Sequence, residues 1–356
     1  MKKIIAFYLP QFHTFPENDK WWGKGFTEWT NTKKAIPLYN GHYQPRTPLN
    51  EEYYDLSEKE CIIKQMNLAK KYNIYGFCYY HYWFNGKLLM EKPLEIMLTL
   101  EERINYCLCW ANEPWTRAWD GGDKEIIMPQ VYSGIDGWNK HFDYLKQFFC
   151  DDKYIKIDNK PVFIIYRSNN IPDFNQMTNY FNDRCTELGF DGIEIVEEYN
   201  TFQNIPVNFE NKSLFFEPMN TISFGRSFFE KGMNKINTRL FNAKHSLNVK
   251  RFSYDKLWKH IIKKCKKKKN VFPGAFVDWD NTARRNKNST IIIKSSPEKF
   301  GKYLKTLLKT TSQDFVFINA WNEWAEGTYL EPDQKYKFSY LEQLQKALIS
   351  TSKEEE

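Results

Sequence analysis

No stretch of this 356-residue chain approaches the roughly 20 apolar residues of a membrane-spanning helix. The seven cysteines are odd in number and contain no Cys-x-x-Cys pair, so no disulfide framework is expected. Three of them (Cys78, Cys107 and Cys109) sit in apolar runs, where a reduced thiol acts as a small hydrophobe, and a reducing compartment is the simplest reading. G-x-G-x-x-G and the P-loop are both missing, which removes the usual dinucleotide and nucleotide cradles. So is the G-x-S-x-G elbow of serine hydrolases. His81 has no second histidine at ligand spacing and there is no Cys/His cluster, so neither metal nor cofactor is expected. Net positive charge is also scarce outside one run. Six lysines lie within 263–269, and without them the net +7 falls to +1. A general nucleic-acid binder is therefore not expected; the run reads as a solvated helix face that offers a peripheral contact to anionic lipid or anionic glycan.

What the chain has is aromatic and apolar mass, 17% and 42% of residues, enough for one large core. The N-terminus, Met1 to His13, imitates the start of an export signal, but its apolar run is broken by Pro10 and no small-residue cleavage site follows. It reads as a first strand, and a cytoplasmic, at most membrane-peripheral, location is expected. Further apolar strands are predicted over residues 74–80, 104–110, 161–166, 192–197, 213–218, 272–278 and 315–319, most of them followed by a helical pattern. The helix over 56–72 opens on Ser57-x-x-Glu60, a capping-box pattern. Alternation of strand and helix implies parallel pairing, and eight strands imply an α/β fold, a single (β/α)8 TIM barrel. The catalytic domain is expected over 1–350, with an irregular basic insertion between strands six and seven (about 221–270, one basic helix near 254–268) and a solvated tail over 351–356.

Chemistry concentrates where strands end. After the eighth strand, Trp321 and Trp324 interleave with Glu323 and Glu326 before Gly327 turns the chain. Paired carboxylates make and break glycosidic bonds, and indole offers a flat face to a sugar ring. A helical turn after Asn322 would put both glutamates on one face, with Cβ atoms roughly 5–6 Å apart, which leans toward retaining geometry. Strand three ends in Asn112-Glu113, a pair suited to holding sugar hydroxyls by charge-assisted hydrogen bonds. Strand two runs into His81, which can both donate and accept. The long loop after strand one holds Gln11, His13, Glu28 and Trp29. Asp278-Trp279-Asp280 imitates the D-x-D by which sugar transferases hold a metal; a polar pair for sugar hydroxyls, helped by Arg284 or Arg285, is the preferred reading.

Four motifs in order, Tyr8-Leu-Pro-Gln-Phe-His13, Gly25-Phe-Thr-Glu-Trp29, Trp110-Ala-Asn-Glu-Pro-Trp115 and Ala320-Trp-Asn-Glu-Trp-Ala-Glu-Gly327, resemble the WbsX family of bacterial polysaccharide gene clusters, itself similar to glycoside hydrolase family 99. The resemblance covers almost the whole chain and is weakest over 221–270. It implies a (β/α)8 barrel with Glu323 as the base that deprotonates the sugar's own 2-hydroxyl, giving a 1,2-anhydro sugar, and Glu326 as the acid/base. Family 99 has histidine where Ala325 stands, a difference that bears on substrate identity.

The reading that follows is a cofactor-independent glycoside hydrolase acting on a bacterial cell-surface (O-antigen or capsule-like) or related polysaccharide. Tyr8, Gln11, His13, Glu28, Trp29, His81, Trp110, Asn112, Glu113, Trp279, Asp280, Trp321, Asn322 and Trp324 are its expected substrate contacts. The alternatives are a glycosyltransferase using an activated sugar and a glycan-binding protein without chemistry.

Overall fold

The structure, a computed structural model, describes residues 2–116, 125–266 and 268–352. Lys267 of the lysine run and residues 353–356 of the expected tail lie outside the described residues.

Eight parallel strands form the centre: β1 (Lys3–Tyr8), β2 (Gly76–Phe84), β3 (Asn105–Trp110), β4 (Lys160–Ile165), β5 (Glu194–Tyr199), β6 (Lys212–Phe215), β7 and β8 (Phe315–Asn319). β7 comes in two pieces, Val271–Phe272 and Gly274–Phe276, on either side of Pro273. The first piece pairs with β6 and the second with β8, and β8 pairs with β1, so the ring closes through β7. The fold is the (β/α)8 barrel that the alternation implied. Both faces of each strand are covered, by the barrel interior and by the helix layer, which explains why the strands read as near-continuous apolar runs.

The parity of each strand decides what meets what. On β1, Phe7 points inward, 5.2 Å from Phe216 across the interior and 6.0 Å from Phe317 on the neighbouring β8. Tyr8 points outward and donates to Gln65 of the Lys59–Lys71 helix at 2.5 Å. On β2, Tyr80 stacks on Phe7 inside, whereas His81 meets His141 of the Gly134–Phe149 helix outside.

Two expectations about elements need correction. The capping box at Ser57 does not form: the helix starts at Lys59 after Glu58, and the Ser57 amide instead donates to the Asp55 carboxylate at 2.7 Å. The Asp55 side chain captures that amide first. The stretch expected to be irregular between β6 and β7 holds three helices, Met219–Phe224, Phe228–His245 and Tyr254–Cys265. The eighteen-residue middle helix buries none of its residues. The residues that resembled an export signal form β1, paired with β2 and β8.

Candidate active site

The loop after β8 is fixed from below before it presents its carboxylates. Asn322 clamps the chain to Leu9 beyond β1, its Oδ1 accepting from the Leu9 amide at 2.7 Å and its Nδ2 donating to the Leu9 carbonyl at 2.9 Å. Asn322 is fully buried by this work, so its expected substrate contact becomes a structural one. A 3₁₀ turn over Trp324–Glu326 then brings Glu326 round to the side of Glu323. The turn leaves through Gly327, at φ 64°, where a Cβ would lie 2.9 Å from the Asp280 carbonyl oxygen. The Asp280 amide donates to the Glu326 carbonyl at 2.7 Å, so the loops after β7 and β8 are bolted together. The Asp280 carboxylate also accepts from the Thr282 amide at 3.1 Å, at the start of the short Thr282–Arg285 helix, which carries Arg284 back over the pair.

Arg284 is the hub. Its Nη1 donates to Glu326 at 2.7 Å, its Nη2 to Glu323 at 3.3 Å, and its Nε to Glu28 at 2.9 Å. Glu28 opens the Glu28–Lys34 helix, its own amide held by the Gln11 carbonyl at 3.0 Å. Three carboxylates and one guanidinium thus share a buried site in which Glu326 is the most exposed acid, its side chain 20% accessible against 8% for Glu323. Burial pushes Glu323 up to about 8, against the pull of Arg284 and with a further push from Glu326 and Glu28. Burial also raises Glu326, opposed by Arg284. Burial works against the guanidinium charge, but the three carboxylates outweigh it and the Arg284 pKa rises.

Around this cluster the barrel mouth is lined by Glu113 and by residues that the motifs did not single out. Tyr80 and Tyr82 are raised by burial and then by the Glu323 carboxylate. Tyr166, just beyond β4, is raised by burial and then by Glu113, Glu198 and Glu326. Glu198 on β5 is fully buried, accepts from Asn200 at 3.4 Å, and is pushed well above the carboxylate range by burial. Glu113 faces the same mouth, paired with Arg167 at 2.8 Å; burial raises it and Arg167 opposes the rise. Tyr80, Tyr82 and Glu198 follow Cys78 and Val196 at even spacing on the inward parity of their strands, and that spacing was the available signal.

Most of the expected aromatic contacts lie elsewhere. Trp29 donates to the Tyr54 carbonyl at 2.8 Å and packs on Trp324. Trp324 stacks on Tyr329 at 3.9 Å and donates to Glu331 at 2.6 Å. Trp321 packs outward on Phe77, and Trp110 packs against His141, 4.6 Å away. Trp110, like Tyr8 and His81, belongs to the layer between strands and helices, because its strand parity points away from the interior. His81 is held neutral there, its pKa lowered to about 3 by burial. Trp279 is buried, and no hydrogen-bond partner of its Nε1 is found among the described residues. Asn112 is spent on Arg167, accepting from its amide and donating to its carbonyl, at 2.8 and 2.9 Å. His13 bonds the Pro10 carbonyl at 2.9 Å. Of the residues expected in the loop after β1, Glu28 alone reaches the carboxylate pair. Gln11 lies beside it, fully buried, its Oε1 without a hydrogen-bond partner among the described residues.

The D-x-D imitation is filled from within. Asp278 accepts from Arg46 at 2.9 Å, and Asp280 from His42 Nε2 at 2.6 Å. His42 Nδ1 accepts from the Leu38 amide at 3.0 Å, so the proton is on Nε2. A metal at this pair would have to displace an arginine, and the residues do not fit one. Behind the loop after β8, a cavity of about 390 Å³ is bounded by Tyr54, Gln65, Leu68, Trp324, Glu331 and Phe338. Burial raises Glu331 there to about 7, opposed by hydrogen bonds from Trp324, Tyr54 and Gln65.

A closed (β/α)8 barrel with a carboxylate pair at the end of β8 defines the class of protein. The chain matches the family described as Glycosyltransferase WbsX over residues 4–344, and it belongs to that family. Proteins named WxcX from two strains of Xanthomonas campestris pv. campestris, described as uncharacterized, are 32% identical to it over 97% of this chain. The chain spans about half the length of those relatives, 49%. Among solved structures it resembles the GH99 endo-alpha-mannosidase from Bacteroides thetaiotaomicron, with a TM-score of 0.57 and 13% identity over 98% of this chain and 97% of that one. A glycoside hydrolase-like protein aligns with a TM-score of 0.60 and 14% identity, covering 97% of this chain and 93% of that one. At these identities the structural likeness speaks for the fold.

Proposed function

We propose that residues 1–350 form a glycoside hydrolase-type catalytic domain, with 221–270 as an insertion, acting on a bacterial cell-surface or related polysaccharide with retention of configuration. The observation that carries the reading is the arrangement of Glu323 and Glu326, turned to one side at the C-terminal end of β8 and joined by a single guanidinium. That rim is where barrel enzymes place their chemistry. The family resemblance, and the mannosidase named among the fold's neighbours, favour one route. Glu323 takes the proton of the substrate's 2-hydroxyl, whose oxygen attacks the anomeric carbon as the bond to the leaving oxygen breaks. Glu326 gives its proton to that leaving oxygen. Water then opens the 1,2-anhydro sugar, Glu326 taking a proton from the water while Glu323 returns one to the 2-oxygen. Arg284 lets two carboxyl groups approach each other in a buried site; with all three acids ionised the cluster would carry two net negative charges.

The test is release of reducing ends from a panel of bacterial surface polysaccharides. Glu323→Gln and Glu326→Gln are expected to lose about 10²–10⁴-fold in rate, the scale of general acid–base catalysis, with unchanged circular dichroism. Full activity of both variants on a substrate cleaved by the wild type would refute the assignment. The family's printed name carries the second reading, a transferase consuming an activated sugar, which predicts turnover of a nucleotide sugar in place of hydrolysis.

A further inference from the structure

The Phe228–His245 helix is built the wrong way round for a surface helix of a water-soluble body. It is well started: Ser227 and Glu230 form a reciprocal capping box, with the Ser227 amide donating to the Glu230 carboxylate at 3.0 Å. It is tied to the body by polar groups. Glu230 bonds His260 at 2.9 Å, and Asn242 donates to the Val249 carbonyl at 2.9 Å. Phe241 is the one large apolar side chain of the helix turned inward, edge-on to Tyr39 at 5.1 Å and under the Arg251 guanidinium at 3.6 Å. Its other large apolar side chains face water. Phe229, Met233, Ile236 and Leu240 recur at helical spacing along one stripe, and Phe228, Phe229 and Leu240 are 93%, 75% and 67% exposed. Lys235, Arg239 and Lys244, all exposed, flank that stripe, and Glu230 is the only acid of the helix.

We infer that this helix seats the protein on an anionic lipid bilayer surface. An apolar stripe bordered by basic residues is the form of a helix lying in the headgroup plane, where apolar burial and attraction to anionic lipid act together. A second copy of the chain fits less well. A two-fold contact on this stripe would bring together two copies of the basic flank of Lys235, Arg239 and Lys244, with Glu230 the only acid the helix offers in return. The neighbouring rim loop points the same way in chemistry, exposing Phe202, Ile205 and Phe209, and Asn220 joins it to the insertion by donating to Asn204 at 2.8 Å. Lys268 of the lysine run lies at the other end of the barrel, where Ser312 and Gln313, just before β8, donate to its carbonyl at 3.1 and 2.9 Å. The helix is linked to the site through Tyr39, which stacks on His42 at 4.6 Å, and through the His42–Asp280 bond. A bilayer under the helix therefore lies beside the rim that carries Glu323 and Glu326. The inference needs no turnover and stands apart from the proposed reaction.

The experiment is vesicle flotation of the whole chain with phosphatidylcholine alone and with phosphatidylcholine and phosphatidylglycerol in equal parts. Wild type is expected to float with the anionic vesicles, less so as salt rises. The triple variant Phe229→Ser/Ile236→Ser/Leu240→Ser should bind about tenfold or more weakly, with its melting temperature retained because none of these positions is buried. Lys235→Glu/Arg239→Glu should lose binding comparably, and it carries the test if the triple variant misfolds. Failure of the wild type to float overturns the inference, as does binding undiminished in both variants. Sedimentation velocity separates the rival occupant: self-association abolished by the triple variant, without flotation, would assign the stripe to a second copy.

Discussion

Arg284 sets how much negative charge the barrel mouth can hold. Its three carboxylate partners leave an excess of acid in a site where burial already penalises ionisation, so the site retains a proton, and Glu323, pushed up to about 8, is where it rests. A base at that position must first give the proton up. On the proposed route that proton has to sit on Glu326 while Glu323 is ionised, so kcat/KM is expected to fall as pH rises through a limb near 8, where the pair loses its last proton, read from a pH–rate profile. Arg284→Lys, which loses the fork that reaches three acids, should move the limb to higher pH. Activity that rises through this limb would show that the reaction needs both carboxyl groups ionised and would contradict the route. The same shift bears on stability. The ordinary value of 4.5 is raised to about 8 in the folded state, so the contribution of Glu323 is fully present below about 4.5 and is lost as pH rises through about 8. Glu331, raised to about 7, acts in the same direction. The melting temperature should fall between these limits, and Glu323→Gln should flatten the fall; an unchanged slope would contradict the burial argument.

At the scale of elements, the loop after β8 is held by its neighbours rather than by its own propensities. Gly327→Ala would force a Cβ to 2.9 Å from the Asp280 carbonyl at a φ of 64°. The expected result is a loss of about 1–3 kcal/mol in urea unfolding, with activity reduced because the loops after β7 and β8 separate. Asn322→Ala should cost about 1–3 kcal/mol by leaving the buried Leu9 amide and carbonyl without partners, with little loss expected from substrate contact. The strands were legible as apolar runs because both of their faces are buried. What the runs hide is which face each residue takes. His81, Trp110 and Tyr8 read as mouth residues by position along the chain, yet each is one step out of phase with Tyr80, Cys109 and Phe7, which point inward. A tryptophan beside a carboxylate also reads alike whether it cradles a sugar or, like Trp324, braces Glu331. Arg284 appeared in the sequence only as a helper for sugar hydroxyls, since nothing local marks a residue that acts across 256 positions of chain to reach Glu28.

For the whole molecule, one closed barrel gathers residues from the loops after β1, β7 and β8 into a single cluster, which is how distant motifs become one site. The exposed stripe of the Phe228–His245 helix adds a surface that the barrel itself does not need. The most direct measurement of the central claim is ligand-induced thermal shift with two panels: oligosaccharides and sugar-shaped iminosugars, and nucleotide sugars with Mn²⁺ or Mg²⁺. A ligand that binds only the folded state raises the melting temperature by mass action. The account predicts a shift with an iminosugar in the wild type, reduced in Glu323→Gln or Glu326→Gln, and none that depends on metal. A metal-dependent shift with a nucleotide sugar, and no response to iminosugars, would contradict it.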